Sequence, residues 1–360
     1  MTLLPNDLKT ENIRICFFPG RERSYSRTRV ILKSLQENNF QVHDCSQNKK
    51  GALRYFLGFL KFLSHKNQSD IIWIGFCGHL LVPLVRIFTR KKIIFEALIS
   101  IYQTLCFDRK VASPTGIVAH LARFIDRLSC RLADKILLDT NQHIDYFVNT
   151  FRIERSKFAR LWVGSDDSVM FPRPASLNSN FLVHFHGEFQ PLHGAEYIVE
   201  AASLLPDIHF QMIGKGRDLD LCLEKAKKLN LQNVKFIPPV SYAQLTDYMA
   251  KAAVCLGIFG NTPKTQLVIP HKVYEALAMK KPVITADTPA MHELLTDGEN
   301  VILCNAADPK SLADAILKLK NNETLRAKIA ENGSRVFKEN CAPAVLGKQI
   351  ANITREVLKN

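Results

Sequence analysis

The chain has 360 residues, 47% of them hydrophobic, and a formal net charge of +14. Because this length exceeds that of an ordinary single domain, we expect two domains of about 170 residues each. Nine cysteines occur without a C-x-x-C pair, which favours reduced thiols in a cytoplasmic protein over a disulfide framework or a zinc site. The sequence shows neither an apolar run of about 18 residues nor a signal-peptide pattern, so it predicts no membrane span and no leader.

The positive charge is concentrated in the first half of the sequence. Residues 1–177 hold 27 Lys and Arg against 15 Asp and Glu, whereas residues 178–360 hold 21 against 19. A basic half predicts an anionic partner, such as a membrane surface, a lipid-linked phosphate or nucleic acid. No nucleic-acid recognition motif is visible, so no nucleic acid is expected.

The first predicted element is an apolar strand over residues 12–18, followed by Pro19-Gly20, an arginine-rich loop and a helix. A strand, a glycine loop and a helix open a doubly wound domain, in which ligands bind at the carboxyl ends of the strands. Gly20 would let the backbone approach an anion, and Arg21 would supply positive charge. No G-x-G-x-x-G follows this strand, which disfavours a dehydrogenase-type dinucleotide site.

Residues 49–66 combine basic residues with Leu, Tyr and Phe at helical spacing. This segment could lie on a bilayer surface, or it could pack against the core of the first domain. Two later strands end at polar residues: one precedes His79, and the next ends at Glu96. Because ligands bind at strand ends, both residues are candidates to face a substrate, although each taken alone is more often structural.

The second half repeats the alternation of strand and helix, with Gly214 and Gly216 directly after a predicted strand. The stretch 269–303 reads IPHKVYEALAMKKPVITADTPAMHELLTDGENVIL, which predicts a helix from Pro270, a buried strand and a turn. A helix start beside strand ends suits a diphosphate, which His271 and Lys272 would also face. Glu275 is placed to accept hydrogen bonds from ribose hydroxyls, or it is a solvated helix glutamate.

This stretch resembles the donor-binding signature of retaining GT-B glycosyltransferases of the group 1, or family 4, type. The segment LWVGSDDSVMFP at residues 161–172 is similar to the crossover segment of the same family. The resemblance implies a GT-B fold, with two doubly wound Rossmann-like domains facing across a cleft, and a Glu275 that opens onto that cleft and holds the donor ribose. It also implies that Glu96 and His79 lie close to the donor sugar.

The sequence departs from the family pattern at three positions. The arginine and lysine that contact the diphosphate in most members correspond here to Glu188 and His193. The first of the two glutamates in the usual motif corresponds to Leu267. These departures keep open an alternative, in which a catalytically silent GT-B protein binds a sugar nucleotide or a partner without turnover.

The resemblance predicts an acceptor-side domain over residues 1–175, a nucleotide-sugar domain over 176–340, and a final helix over 341–360 that returns to the first domain. It predicts transfer of a sugar, with retention, from a nucleotide-diphosphate sugar to a glycan or lipid-linked acceptor in cell-surface polysaccharide or glycolipid synthesis. No cofactor and no metal are expected. The protein is expected in the cytoplasm, peripheral at the inner face of the membrane if its basic half binds anionic lipid.

Overall fold

The structure, a computed structural model, describes residues 9–49, 51–173 and 181–359. Its contacts divide the chain into two units, Met1–Asp166 with Ala342–Asn360, and Asp167–Cys341. The predicted domain boundary near residue 175 lies outside the described residues, and the contacts divide the chain at residue 166 instead.

The first unit is built on a parallel six-stranded sheet. Its strands are β1 (Arg14–Pro19), β2 (Gln41–Asp44), β3 (Ile71–Gly75), β4 (Lys92–Glu96), β5 (Lys135–Leu138) and β6 (Phe158–Arg160), and their order is β2-β1-β3-β4-β5-β6. Its helices are α1 (Ser26–Glu37), α2 (Ala52–His65), α3 (Leu81–Phe88), α4 (Ile101–Gln103), α5 (Ile117–Leu132), α6 (Asn141–Phe151) and α13 (Pro343–Lys359). Strand β3 is buried throughout, as expected for a parallel sheet covered on both faces.

The second unit contains another parallel six-stranded sheet. Its strands are β7 (Leu182–Glu188), β8 (His209–Lys215), β9 (Val234–Ile237), β10 (Val254–Leu256), β11 (Val283–Ala286) and β12 (Ile302–Cys304), in the order β12-β11-β10-β7-β8-β9. Its helices are α7 (Ala195–Ser203), α8 (Leu219–Lys228), α9 (Tyr242–Lys251), α10 (His271–Ala278), α11 (Pro309–Asn321) and α12 (Glu323–Asn340). The two sheets confirm the predicted α/β class with two Rossmann-like domains.

The order of strands in the second sheet reverses at β7. The chain moves from β7 outward to β8 and β9, and then returns to place β10 on the other side of β7. In open α/β sheets, the crevice at such a reversal lies at the carboxyl ends of the strands and is where ligands bind. The topology therefore predicts a ligand site at the end of β7 and at the residues that follow it.

Helix α13 belongs to the first unit and packs on α1. Asn38 Nδ2 donates to the carbonyl oxygen of Ala344 at 3.1 Å. A Cβ atom at Gly347 would lie 2.3 Å from the carbonyl oxygen of Ser34. Because any larger side chain would collide with the α1 backbone, glycine at this position lets the two helices approach closely.

Helix α2 covers the segment for which the sequence left two interpretations. Only Gly58 and Phe62 of α2 are buried, so the helix contacts the core along a narrow stripe. Leu53, Phe56 and Leu60 are exposed on it. The helix therefore packs on the first sheet and also presents an apolar face outward. None of the helices in the described ranges combines the length and apolar composition needed to cross a bilayer.

Candidate functional site

The candidate site in the second unit lies where β7 ends and α10 begins. Pro270 occupies the N-cap of α10 with extended backbone angles, so the helix starts abruptly at His271. The helix ends before Lys280, which has a left-handed φ of 54°. Every residue of α10 from Lys272 onward is buried, because the helix packs between the sheet and α12. A buried helix that begins at strand ends places its first charged side chains at the predicted ligand crevice.

A chain of hydrogen bonds joins β8, β7 and α10. Gln211 Nε2 lies 2.9 Å from His184 Nδ1 and donates to the carbonyl oxygen of Tyr248 at 2.9 Å. His184 Nε2 lies 2.9 Å from His186 Nδ1, and His186 Nε2 lies 2.8 Å from Glu275 Oε2. His184 and His186 are two residues apart on β7, so they project from the same face of the strand. All four side chains of the chain are buried.

Glu275 differs from the prediction in its exposure. The sequence predicted an acid open to a cleft, but the residue is only 4% exposed, and His271 Nε2 lies 3.4 Å from its Oε1. Burial by itself raises the pKa of Glu275, but His271 and the hydrogen bonds from His186 and Tyr242 lower it to about 2. An ionised carboxylate has about four acceptor positions, so two hydrogen bonds leave capacity for a further donor. The predicted grip on a ribose stays a prediction.

Lys272 is a buried amine on the same helix as this carboxylate. It is 5% exposed, and its Nζ lies 3.9 Å from the centre of the Phe185 ring. Among the described residues, no acceptor lies within hydrogen-bond distance of Nζ. Burial lowers the pKa of Lys272 well below its usual value, while Glu275 acts in the opposite direction. An ammonium in this position would gain stability from a bound anion.

Three glycines let backbone segments approach closely at the ends of β7 and β8, and one of them adjoins Lys272. Gly187 has a φ of +139°, and a Cβ there would lie 3.0 Å from Lys272 Nζ. Gly214 has a φ of +146°, and a Cβ there would lie 1.9 Å from the carbonyl oxygen of Gly187. Gly216, with a φ of +156°, approaches the backbone of Phe189 in the same way. The predicted Gly214 and Gly216 therefore lie at this strand edge, where side chains would be excluded.

His193 also lies near Gly187. Its Nδ1 contacts the carbonyl oxygen of Glu188, and its Cε1 would lie 3.4 Å from a Cβ at Gly187. Burial and the nearby charge of Lys272 lower the pKa of His193 well below its usual value. Glu188 itself is exposed. The structure thus brings together His193, His271, Lys272 and Glu275.

The remaining predicted residues lie in the first unit. Gly20 donates its N–H to the carbonyl oxygen of Phe76 at 3.0 Å, and a Cβ there would lie 2.3 Å from the carbonyl oxygen of Cys77. Its glycine identity therefore serves contact between two loops. Arg21 pairs with Glu22 at 3.2 Å and lies over the Tyr25 ring. A role in anion binding stays a prediction for both residues.

Glu96 differs from its predicted place facing a substrate. It is 1% exposed and pairs with Arg27, whose Nη1 donates to the carbonyl oxygen of Trp162 at 2.9 Å. Burial raises the pKa of Glu96, and Arg27 acts against that rise. The carboxylate thus joins β4 to α1 and to the backbone after β6. A catalytic role for Glu96 stays a prediction, and the contacts in the structure are internal ones.

His79 is also held by internal partners. Its Nε2 lies 3.0 Å from the carbonyl oxygen of Ile99 and 3.6 Å from Asp126 Oδ1, and its ring packs edge-on against Phe95. Burial lowers the pKa of His79, although Asp126 acts in the opposite direction. Asp126 in turn accepts a hydrogen bond from Ser100 Oγ at 2.7 Å. The contacts of His79 in the structure are internal ones, and its predicted place close to the donor sugar stays a prediction.

The sequence alone did not indicate a role for His184, His186 or Gln211. A signal was present, because two histidines alternate along a strand that is otherwise apolar. The partner residue Gln211 could not be found, since its pairing depends on the register of β7 with β8. In the described part of the chain, no three His, Cys, Asp or Glu residues form a group suited to a metal ion.

Part of the chain matches a known protein family, and the chain is similar in sequence to several known proteins. Residues 170–336 match the family model of glycosyl transferases of group 1. An uncharacterized glycosyltransferase of Methanocaldococcus jannaschii is 28% identical over 162 residues, which are 43% of this chain and 42% of that protein. The alpha-D-kanosaminyltransferase of Streptomyces kanamyceticus is 23% identical over 72% of this chain and 68% of that protein.

Solved structures share the fold over nearly the whole chain. HepE of Anabaena, solved with UDP-glucose, has a TM-score of 0.73 at 16% identity, covering 96% of this chain and all of that one. Sucrose-phosphate synthase of Thermosynechococcus elongatus has a TM-score of 0.75 at 15% identity, covering 97% of this chain and all of that one. The chain therefore has the GT-B fold of these structures, and its second unit matches the group 1 family. The group 1 match includes every site residue predicted in the second unit.

Two histidines of the second unit make the stability of the protein depend on pH. Burial lowers the pKa of His184 and His193, so below pH ~6.5 the unfolded chain binds protons that the folded chain does not. We expect the unfolding free energy of the second unit to fall as the pH drops from 7.5 to 5.5, by up to ~1.4 kcal/mol per pH unit for each histidine. Between pH ~4.5 and ~2 the ionised Glu275 adds a further loss of the same sign.

The measurement is hydrogen exchange of the β7 and β8 amides, corrected for intrinsic exchange rates. His184→Gln should reduce the pH dependence, whereas substitution of the exposed His209 by Gln should leave it unchanged. A protection free energy that stays constant between pH 7.5 and 5.5 in the wild type would contradict the assignment of neutral histidines.

Proposed function

We propose that the protein transfers a sugar from a nucleotide-diphosphate sugar to a glycan or lipid-linked acceptor, with retention of anomeric configuration. The observation that carries the proposal is the buried Lys272 amine, which has no acceptor among the described residues and lies on the same helix as an ionised Glu275. An amine that a bound anion would protonate, together with a carboxylate at the start of the same helix, matches the two ends of a nucleoside diphosphate. The diphosphate would pair with Lys272, and a ribose hydroxyl would donate to Glu275.

The position of Lys272 suits the chemistry of the step. The bond between the anomeric carbon and the diphosphate oxygen breaks, and the leaving oxygen takes the electron pair. The acceptor hydroxyl forms the new bond to the same carbon and gives its proton to the leaving diphosphate oxygen. Because negative charge grows on the leaving diphosphate, a cation fixed nearby in a site with little water lowers the barrier most effectively. His193 and the start of α10 would stabilise the same charge.

The related structures suggest which nucleotide to test first. HepE of Anabaena was solved with UDP, and the TarM protein of S. aureus was also solved with UDP. Among the sequence relatives are a D-inositol 3-phosphate glycosyltransferase and a phosphatidyl-myo-inositol mannosyltransferase. These names support a nucleotide-sugar donor and favour a role in polysaccharide or glycolipid synthesis.

The alternative, a catalytically silent protein, draws on Glu188 and Leu267. Glu188 is exposed at the end of β7, where an arginine would otherwise meet the diphosphate. Lys272 offers a cation in compensation, since its Nζ lies next to Gly187 on the same strand end. We therefore favour an active enzyme.

Turnover distinguishes the two functions directly. Incubation of the protein with pooled nucleotide-sugars should release free nucleotide, and Glu275→Ala should abolish that release. The measurement is chromatography of the released nucleotides, with His209→Gln as the control variant. Binding of a nucleotide-sugar without any release, in the presence of lipid-linked and glycan acceptors, would support the silent alternative.

A second prediction concerns Lys272 itself. Lys272→Met keeps the volume of the side chain but removes the charge, so we expect the affinity for UDP to fall roughly tenfold or more. Because a buried charge without a partner is costly, the folding stability should stay equal or rise. Calorimetric titration with UDP and a thermal melt measure both quantities. The exposed Lys251→Met is the control, and equal UDP affinity in both variants would contradict the role of Lys272.

We also propose that the first unit binds an anionic membrane surface through a face formed by α2, α3 and α5. The ring of Phe59 on α2 contacts that of Phe88 on α3, and α3 packs against α5, so the three helices adjoin one another. Helix α5 is inverted relative to an ordinary surface helix: it buries Ala119 and Ala122 and exposes Ile117, 88% exposed, and Phe124, 60% exposed. Large exposed apolar faces mark interaction surfaces.

The charge of this face selects the partner. The helices α2, α3 and α5 together contain six Lys and Arg and a single carboxylate, Asp126, which is buried. Arg54 and Arg86 pair with Glu22 and Asp134 of adjoining segments, which leaves four Lys and Arg for other partners. An apolar face whose own helices expose no acid fits the boundary of an anionic bilayer, where apolar side chains insert and cations meet phosphate groups. Such a surface would bring a lipid-linked acceptor to the protein and would place the protein peripherally at the inner face of the membrane.

Vesicle sedimentation tests the membrane proposal. The protein should sediment with phosphatidylglycerol vesicles at low salt, less with phosphatidylcholine vesicles, and Leu121→Gln with Phe124→Gln should weaken the partition about tenfold. Leu221→Gln with Leu223→Gln on α8 removes two similarly exposed leucines from the other unit and should have no effect. A wild-type protein that stays in the supernatant at low salt would end this proposal. The proposal would also be contradicted if the double substitution left vesicle binding unchanged and changed only the oligomeric state, from dimer to monomer.

A further inference from the structure

The hydrogen-bond chain from Gln211 to Glu275 has a fixed direction. The amide nitrogen of Gln211 can only donate, and it faces both His184 Nδ1 and the carbonyl oxygen of Tyr248. Rotating the amide by 180° would bring its oxygen against that carbonyl oxygen, so the orientation with the nitrogen facing both acceptors is favoured. His184 Nδ1 therefore accepts, which places the ring proton of His184 on Nε2.

The same reasoning applies to the ring of His186. His184 Nε2–H faces His186 Nδ1, which must then accept, so the proton of His186 also lies on Nε2. That proton is donated to Glu275 Oε2 at 2.8 Å. One amide on β8 thus determines which nitrogen carries the proton in two histidines on β7. Protonation of His184 at Nδ1 would set two donors against each other.

We propose that Gln211, His184 and His186 form a positioning relay that keeps Glu275 ionised and turned toward the ribose of a bound nucleotide. None of the three needs to contact the ligand, because the relay acts through the one carboxylate oxygen that His186 binds. The other oxygen, Oε1, lies 3.4 Å from His271 Nε2, and the carboxylate keeps acceptor capacity for a ligand hydroxyl. The ligand part of this inference rests on the proposed function, whereas the direction of the relay does not.

Charged groups around the relay act on the same carboxylate and histidines. Lys272 and Lys281 lie close enough to disfavour a proton on His184, and His271 and Tyr242 face Glu275 from α10 and α9. These neighbours act on the charge of the carboxylate and of His184 and do not determine which nitrogen of His184 or His186 carries the proton. Among the described residues the amide of Gln211 does so, which makes position 211 the place to test the inference.

Gln211→Glu is the sharpest test. A carboxylate at position 211 can only accept, so His184 must present a proton at Nδ1, either as the other tautomer or as an imidazolium. In the first case the order of protons reverses along the relay, and a bare nitrogen of His186 faces Glu275. We expect the UDP affinity to fall roughly tenfold or more, as for the loss of a hydrogen bond to a charged group. The exposed Gln232→Glu is the matched control.

Nitrogen NMR of histidine-labelled protein determines which ring nitrogens carry protons, and it needs no ligand. In the wild type at pH 7.5, His184 and His186 should both be neutral with the proton on Nε2, and His184→Gln and His186→Gln assign their signals. If Gln211→Glu does not fold, Gln211→Met, which removes the donor without adding charge, should let His184 populate both tautomers and weaken UDP binding.

Two results would overturn the inference. One is an Nδ1 proton on either histidine of the wild type. The other is a Gln211→Glu protein with altered tautomers that binds UDP as tightly as the wild type. If the wild type binds no nucleoside diphosphate, the proposed function and the ligand part of the inference both fail, while the NMR result still decides the direction of the relay.

Discussion

A carboxylate and a lysine amine that are both buried at the start of one short helix are the features on which the second unit depends. Glu275 and Lys272 lie on α10, three residues apart, and both are almost inaccessible to solvent. Burying a charge is costly unless partners compensate it. Glu275 receives its compensation from imidazole and hydroxyl donors within the unit. Lys272 receives only the face of an aromatic ring and the more distant Glu275, so the local charge is balanced only in part.

The first unit uses buried charges in a different way. Arg27 and Glu96 pair in the interior, and Asp126 accepts hydrogen bonds from Ser100 and from the backbone nitrogens of Ile101 and Tyr102. These contacts tie loops at the strand ends to neighbouring helices. Buried carboxylates at strand ends can thus serve structure or binding, and the difference lies in their surroundings. In the first unit the carboxylates hold internal segments together, whereas in the second unit they adjoin a cation that lacks an acceptor.

The outer face of the first unit depends on how α5 packs against the interior. The buried positions of helix α5 hold small or polar residues. Two of them, Asp126 and Ser129, belong to the internal network around His79. Its large apolar residues lie on the opposite side. The interior thus fixes the rotation of α5, and the outward Phe124 follows from it. Part of the positive charge of the first half of the chain lies on the helices that form this surface.

The sequence by itself determined the two doubly wound domains, because buried strands separated by helical segments of suitable length allow few other arrangements. It also indicated Lys272 and Glu275, since Pro270 sets the start of α10 and the spacing along the helix follows. Tertiary structure decided the rest. The partners of Glu96 and His79 come from residues 27 and 126, distant in sequence, so their burial could not be read from strand ends. The relay required the register of β7 against β8, which places Gln211 opposite His184, and strand register is a property of the folded sheet rather than of local residue order.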